Sequence, residues 1–238
     1  MRNLIMFAAL AGGAGAGAHA STFNISPIRA NLSGTHRTEA LTIVNAEDAP
    51  VVVQVRVLRW SQQDGEEHFD DTRDVLATPP VLKIAGNGEQ IVRVAVRRDP
   101  EADRELSYRV IFEEIPEAAP LDFNGLRVAL RLSVPIFVAP ARIPALARVS
   151  WQFRRLANGR LEVTAANDGT GHLQVTDFVA QLAGSEPVRG MVSKYILPGS
   201  RMSWTFMPPG DAAPQGPIVI HGHSDQGDFA ADALPTGQ

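Results

Sequence analysis

Residues Gly125 to Pro140 read GLRVALRLSVPIFVAP. Leu126, Val128, Leu130, Leu132 and Val134 are apolar at every second position, and Arg127, Ala129, Arg131 and Ser133 between them are small or polar. A strand sends alternate side chains to opposite faces, so the five apolar groups leave the same one. The spacing predicts a strand over 125–138, far longer than the usual length of about five or six residues. The chain then enters Ala-Pro-Ala-Arg-Ile-Pro, a segment that cannot continue a ladder and reads as the junction between two halves. A long strand with a continuous apolar stripe at such a junction can be offered to another protein.

Upstream of this stretch the chain reads as strand after strand. Phe23 to Ser26, Ile28 to Leu32, Glu39 to Asn45, Val51 to Trp60, Gln90 to Val96 and Leu106 to Ile115 carry the pattern, and VVVQVRVLRW places Val51, Val53, Val55 and Val57 on one face. Asp64-Gly65 marks a turn, and Thr78-Pro79-Pro80 is a rigid break in which an X-Pro bond can be cis. Downstream, Ala147 to Phe153, Leu161 to Ala166, Leu173 to Leu182, Arg201 to Phe206 and Pro217 to His221 repeat the style at lower hydrophobicity. Asn158-Gly159 and Asp168-Gly169 supply hairpin-type turns between them. No helical periodicity survives beyond about two turns. Some seven short strands per half at regular turn spacing give the fold class: all-β, two immunoglobulin-like β-sandwich domains. The expected boundaries are 21–140 and 141–238, with no sequence repeat between the halves.

The N-terminus predicts the compartment. One positive charge at Arg2, an apolar run from Leu4 to Ala11 and small residues ending in Ala18-His19-Ala20 form the pattern of a secretory signal over 1–20, cleaved after Ala20. The run falls well short of the roughly 20 apolar residues of a spanning helix, so membrane insertion is not expected. The chain has 238 residues and no cysteine, so its cores must hold without disulfides and thiol redox chemistry is excluded. A net charge of −4 with interspersed signs offers no footprint for nucleic acid. The 20 glycines and 17 prolines suit many turns.

Few residues suggest chemistry. No nucleophile elbow, zinc-protease helix, phosphate loop or dinucleotide fingerprint is present. Glu113 and Glu114 are strand neighbours pointing to opposite faces, so they cannot form one glycosidase pair, which argues against a carbohydrate-active enzyme. His221, His223 and Asp225 would share a strand face, as zinc or copper ligands do. A periplasmic metal-binding sandwich is therefore the alternative reading, against surface histidines plus a turn aspartate. Arg29 and Arg109 lie among apolar neighbours, where a partly shielded guanidinium calls for a carboxylate and can hold it in bidentate geometry.

Several segments, taken in order, resemble the periplasmic chaperones of the chaperone–usher pilus pathway, the PapD-like group. They are Ser26-Pro27-Ile28-Arg29, Ala77-Thr78-Pro79-Pro80-Val81 with Gly88 and Arg93, and Tyr108-Arg109-Val110 running into Glu113-Glu114-Ile115-Pro116. Val128-Ala129-Leu130 through Pro135-Ile136-Phe137 to Pro140 completes them, with Ser224-Asp225-Gln226-Gly227 near the end. The resemblance covers nearly all of the chain after the signal, with its specific motifs in the first half.

The resemblance implies two domains set in an L and a long strand lent to pilus or fimbrial subunits that lack their last strand. It further implies delivery of those subunits to an outer-membrane usher without ATP, and neither catalysis nor a cofactor or metal. It places Leu126, Val128, Leu130 and Leu132 at the donor positions and Arg29 at one anchor for the subunit's C-terminal carboxylate. Many members carry a second anchor, a lysine, where this chain has Pro135. Archaic-type members use an arginine on the preceding strand, which here is Arg109. An arginine that forms a buried interdomain ion pair in many members is replaced by Ala139, and Arg142 is the candidate substitute as partner of Glu114.

Overall fold

In a computed structural model, which describes residues 23–116, 128–182, 186–190, 193–208 and 216–236, every regular element among the described residues is a strand. The first half contains β1 (Phe23–Ser26), β2 (Ala30–Leu32), β3 (Thr38–Asn45), β4 (Val51–Gln63), β5 (Glu66–Asp71) and β6 (Val75–Thr78). It continues with β7 (Val81–Ile84), β8 (Glu89–Val96), β9 (Leu106–Glu114) and β10 (Arg131–Val138). One sheet runs β1-β3-β8-β6 and a second β2-β10-β9-β4-β5, with β7 also on β4. The alternation read from the sequence points Leu41 and Ile43, Val92 and Val94, Val53 and Val55, and Val110 and Phe112 into one shared core between these sheets.

The second half contains β11 (Val149–Arg155), β12 (Leu161–Asn167), β13 (Leu173–Gln181), β14 (Val188–Gly190), β15 (Lys194–Ile196), β16 (Ser200–Phe206), β17 (Ile218–Ser224) and β18 (Gly227–Pro235). Its strands join in the order β14-β13-β17-β18-β11-β12-β16, with β15 on β13. They enclose a separate core that includes Trp151, Phe178 and Trp204. The described strands thus number more than the sequence reading of seven or so per half.

Between the two cores lies a third, small cluster of Trp60, Phe137 and Leu197, with Tyr195 packed on it. It exists because β4, β9 and β10 are buried on both faces at one end. On β4 the buried positions change phase after Val57: Val51, Val53 and Val55 face the first core, whereas Leu58 and Trp60 are buried on the opposite face, where Trp60 packs against the second half. Phe137 does the same on β10, out of step with Val134, Ile136 and Val138. Gln62, beyond Trp60, locks the halves together. Its side-chain amide donates to the Tyr195 carbonyl at 2.9 Å, and its Oε1 accepts from the Leu197 N–H at 2.9 Å. The segment after β10 also packs closely on the second half: a Cβ on Gly171 would lie 2.6 Å from the Ala145 carbonyl carbon, so a side chain is excluded there.

Of the long strand read over 125–138, residues 125–127 lie outside the described residues, and the described part is a regular strand over Arg131–Val138. Its ladder with β9 begins at Arg131 opposite Glu113. The reason is the end of the partner: Glu114 N–H donates to the Leu130 carbonyl, and Pro116, the next β9-side residue whose backbone would face β10, has no N–H to donate. Cis peptide bonds occur at Ser26-Pro27 and Thr78-Pro79.

Candidate functional site

Arg29 sits between β1 and β2 and reaches across to the second half. Its Nη1 donates to Asp225 Oδ2 at 2.8 Å, and its Nη2 donates to Gln174 Oε1 at 2.9 Å and, more weakly, to the Tyr195 hydroxyl at 3.5 Å. Burial works against the charged guanidinium, but Tyr195 and Asp225 outweigh it and hold its pKa above the ordinary arginine value. Burial likewise works against the Asp225 carboxylate. Hydrogen bonds from His172, the Gln174 N–H and Arg29 prevail and pull it down to about 2.

His172 ties this corner together. Its Nδ1 lies 2.7 Å from Glu105 Oε1 and its Nε2 lies 3.3 Å from Asp225 Oδ2, while its ring stacks on Phe137 at 3.5 Å and 8°. Burial lowers its pKa, and the two carboxylates more than reverse the effect, so the pKa is raised.

Arg109 projects from the same face of β9. In the ladder it stands opposite Leu58 on β4 and opposite Pro135 on β10. Arg109 and Pro135 are therefore cross-strand neighbours. The Arg109 Cζ lies 3.8 Å from the centroid of the Trp60 ring and 5.3 Å from that of Tyr195. Its Nε is buried without a hydrogen-bond partner. Burial pushes its pKa down, opposed by the through-space charge of Glu67. Arg29 approaches the same Tyr195 ring, at 5.7 Å. Two guanidiniums, one from the β1–β2 connection and one from β9, therefore flank one aromatic ring; the first is held by Asp225, Gln174 and Tyr195, and the second keeps an unused donor.

The structure places the other sequence candidates as follows. Leu126 lies outside the described residues. Val128 is exposed, whereas Leu130 and Leu132 are half-buried against the first core. Ion-pair geometry joins Glu113 to Arg56, and Glu114 accepts the Leu130 N–H. Arg142 is exposed, and its backbone N–H donates to the Ala102 carbonyl; ionisable contacts between the halves include Arg29 with Asp225 and His172 with Glu105.

The metal reading of His221, His223 and Asp225 is corrected. β17 ends at Ser224, so Asp225 leaves the strand and its carboxylate serves Arg29, His172 and the Gln174 N–H. His223 pairs with Asp177 at 2.9 Å. Among the described residues no group of three or more His, Asp or Glu side chains is placed to hold a metal ion. Sequence reading missed Gln174, Tyr195, His172 and Glu105. Only Trp60 and Phe137 left a trace, as large aromatics out of step with their strands' alternation.

Residues 22–144 match the family model described as pili and flagellar-assembly chaperone, PapD N-terminal domain. The chain belongs to this family. Chaperone protein PapD of Escherichia coli is 28% identical over 135 residues, which make up 55% of this chain and 54% of that protein, so the match spans about half the length of this curated relative. Among solved structures, the chaperone–tip subunit complex CsuC–CsuE, from archaic chaperone–usher Csu pili of Acinetobacter baumannii, matches with a TM-score of 0.69 at 19% identity. That match covers 91% of this chain and 100% of that one. The E. coli chaperone DraB matches with a TM-score of 0.59 at 20% identity, over 91% and 100%. The fold is accordingly the all-β, two-sandwich fold of these pilus chaperones.

Proposed function

We propose that this chain is a periplasmic chaperone, exported by a cleaved signal over 1–20, with working domains at 21–140 and 141–238. It binds pilus subunits that lack a strand, completes them with its own segment 125–138, which runs into β10, and passes them to an outer-membrane usher without ATP or catalysis. A subunit missing a strand exposes an apolar groove and unpaired backbone groups, which invite aggregation. A lent strand satisfies both. The donor side chains are Leu126, Val128, Leu130 and Leu132, each supplying about 1.5–3 kcal/mol when fully buried. Arg29 and Arg109 hold the subunit's terminal carboxylate and fix the register of the added strand.

One observation carries this reading: two guanidiniums meet at Tyr195 beside the edge of β10, and the buried Nε of Arg109 has no partner. The match to a pilus-chaperone family and the likeness to a chaperone solved with a tip subunit support it. The test is a pull-down from the periplasm of the native host with the mature chain tagged at its C-terminus, run beside the Arg29→Ala/Arg109→Ala variant. Small β-rich secreted proteins should co-purify with wild type and vanish from the variant. Equal recovery by a folded variant removes the arginine anchor, and no stoichiometric partner in either sample removes the chaperone reading.

A further inference from the structure

The two arginines lie in the first half of the chain, but the ring they flank belongs to the second. Tyr195 is held from several sides. Its carbonyl accepts from Gln62, its ring meets Trp60 edge-on at 5.3 Å and 84°, and Phe137 and His172 pack at 5.7 Å each. It stands opposite Gln174 in the β13–β15 pairing, and both residues face Arg29 Nη2. Nη1 is committed to Asp225, so Nη2 is where an incoming anion displaces least. The 3.5 Å contact to Tyr195 is the weakest of the Arg29 hydrogen bonds from donor to oxygen and yields first. In that contact the phenol accepts. Its own proton has no protein acceptor among the described residues, and a phenol can donate and accept at once.

We propose that Tyr195 is a third donor to the bound carboxylate: its hydroxyl hydrogen-bonds the client's terminal carboxylate between Arg29 and Arg109. This inference rests on the reading of the two arginines as a carboxylate anchor. A carboxylate offers about four acceptor directions, enough for two guanidiniums and one hydroxyl. A donor fixed by aromatic packing and by the Gln62 clamp loses little freedom on binding. The consequence is that both halves of the chaperone grip the client's last residue, so their relative placement is read out at the anchor.

The test uses a synthetic peptide with valine at alternate positions, offered with a free C-terminal carboxylate and as its C-terminal amide, and titrated into the full mature chain. Wild type should prefer the free acid. Tyr195→Phe deletes one oxygen and should weaken the free acid by roughly tenfold or more, the loss of a hydrogen bond to a charged group, while leaving the amide unchanged. Unaltered melting and Trp fluorescence establish that the variant keeps its packing.

Arg29→Lys removes the Nη2 contact to the phenol. If Tyr195→Phe still weakens the free acid in that background, the hydroxyl touches the carboxylate directly; if it has no further effect there, Tyr195 only positions Arg29 and the proposal is overturned. Full acid-over-amide preference in Tyr195→Phe also overturns it, with the anchor reading intact. A wild-type chain indifferent to amidation overturns the anchor reading and this inference together.

Discussion

Arg109 carries a charge with no carboxylate beside it, and that has a cost and a compensation. Removing a guanidinium from water without a hydrogen-bond partner at Nε opposes folding. The face of Trp60 at 3.8 Å compensates, by about 2 kcal/mol for a desolvated pair. Arg109→Met keeps an unbranched, flexible stem, removes the guanidinium and deletes both effects. Its urea midpoint should therefore equal or exceed that of wild type, while subunit capture in the pull-down is lost. A fall in stability beyond about 2 kcal/mol would make Arg109 a structural group rather than an anchor. At this scale the sequence was informative about charge and silent about partners. Arg29 and Arg109 stood out as guanidiniums among apolar neighbours. Asp225, Gln174 and Tyr195 could not be linked to Arg29, because between 145 and 196 residues of chain separate them and only the packing of the two halves brings them together.

β10 is an element with one edge used and the other largely open. Its even-numbered residues bond to β9, as the Glu114 N–H to Leu130 carbonyl bond at the start of the ladder shows, so the odd-numbered backbone groups face the opposite edge. There β2 pairs only with Ile136 to Val138, and among the described residues no strand covers Arg131 to Pro135. The open edge offers two N–H groups, from Arg131 and Ser133, and Pro135 offers none. Ser133→Pro should remove the second without touching the ladder to β9. The expected outcome is near-wild-type melting with a large loss of co-purified subunit; retained capture would mean that the backbone of β10 is not the donor. The alternation of this strand was legible from Leu130 onward because its even positions face a core. Its start was not, since that depends on where β9 ends. β5 (EEHFDD) was illegible for the opposite reason: all six residues are exposed, so no burial pattern marks it as a strand.

In the whole molecule the junction of the halves is ionisable at His172. Glu105, beside the start of β9, and Asp225, in the turn after β17, face its two ring nitrogens; Arg29 lies 3.4 Å from Nε2, and Phe137 and Tyr195 pack on the ring. The two carboxylates raise the pKa of His172 despite its burial, so its contribution to stability is fully present below the unfolded value of about 6.5 and is lost as pH rises through the folded value. Asp225 works in the other direction. Its pKa is lowered from 3.8 to about 2, so its contribution is present above 3.8 and is lost as pH falls toward 2. Stability from this network should therefore peak between about pH 4 and 6.5 and decline on both sides. His223, exposed and beside Asp177, also has a raised pKa and adds to the upper decline, but salt screens an exposed pair far more than a buried one. Melting temperatures followed from pH 5 to pH 9 in high salt separate the two. Wild type should lose stability above pH 6.5, and His172→Gln, which keeps a polar side chain but cannot take up the proton, should show a much flatter profile. Parallel profiles for the two proteins would mean that His172 is not the group whose protonation holds the halves together.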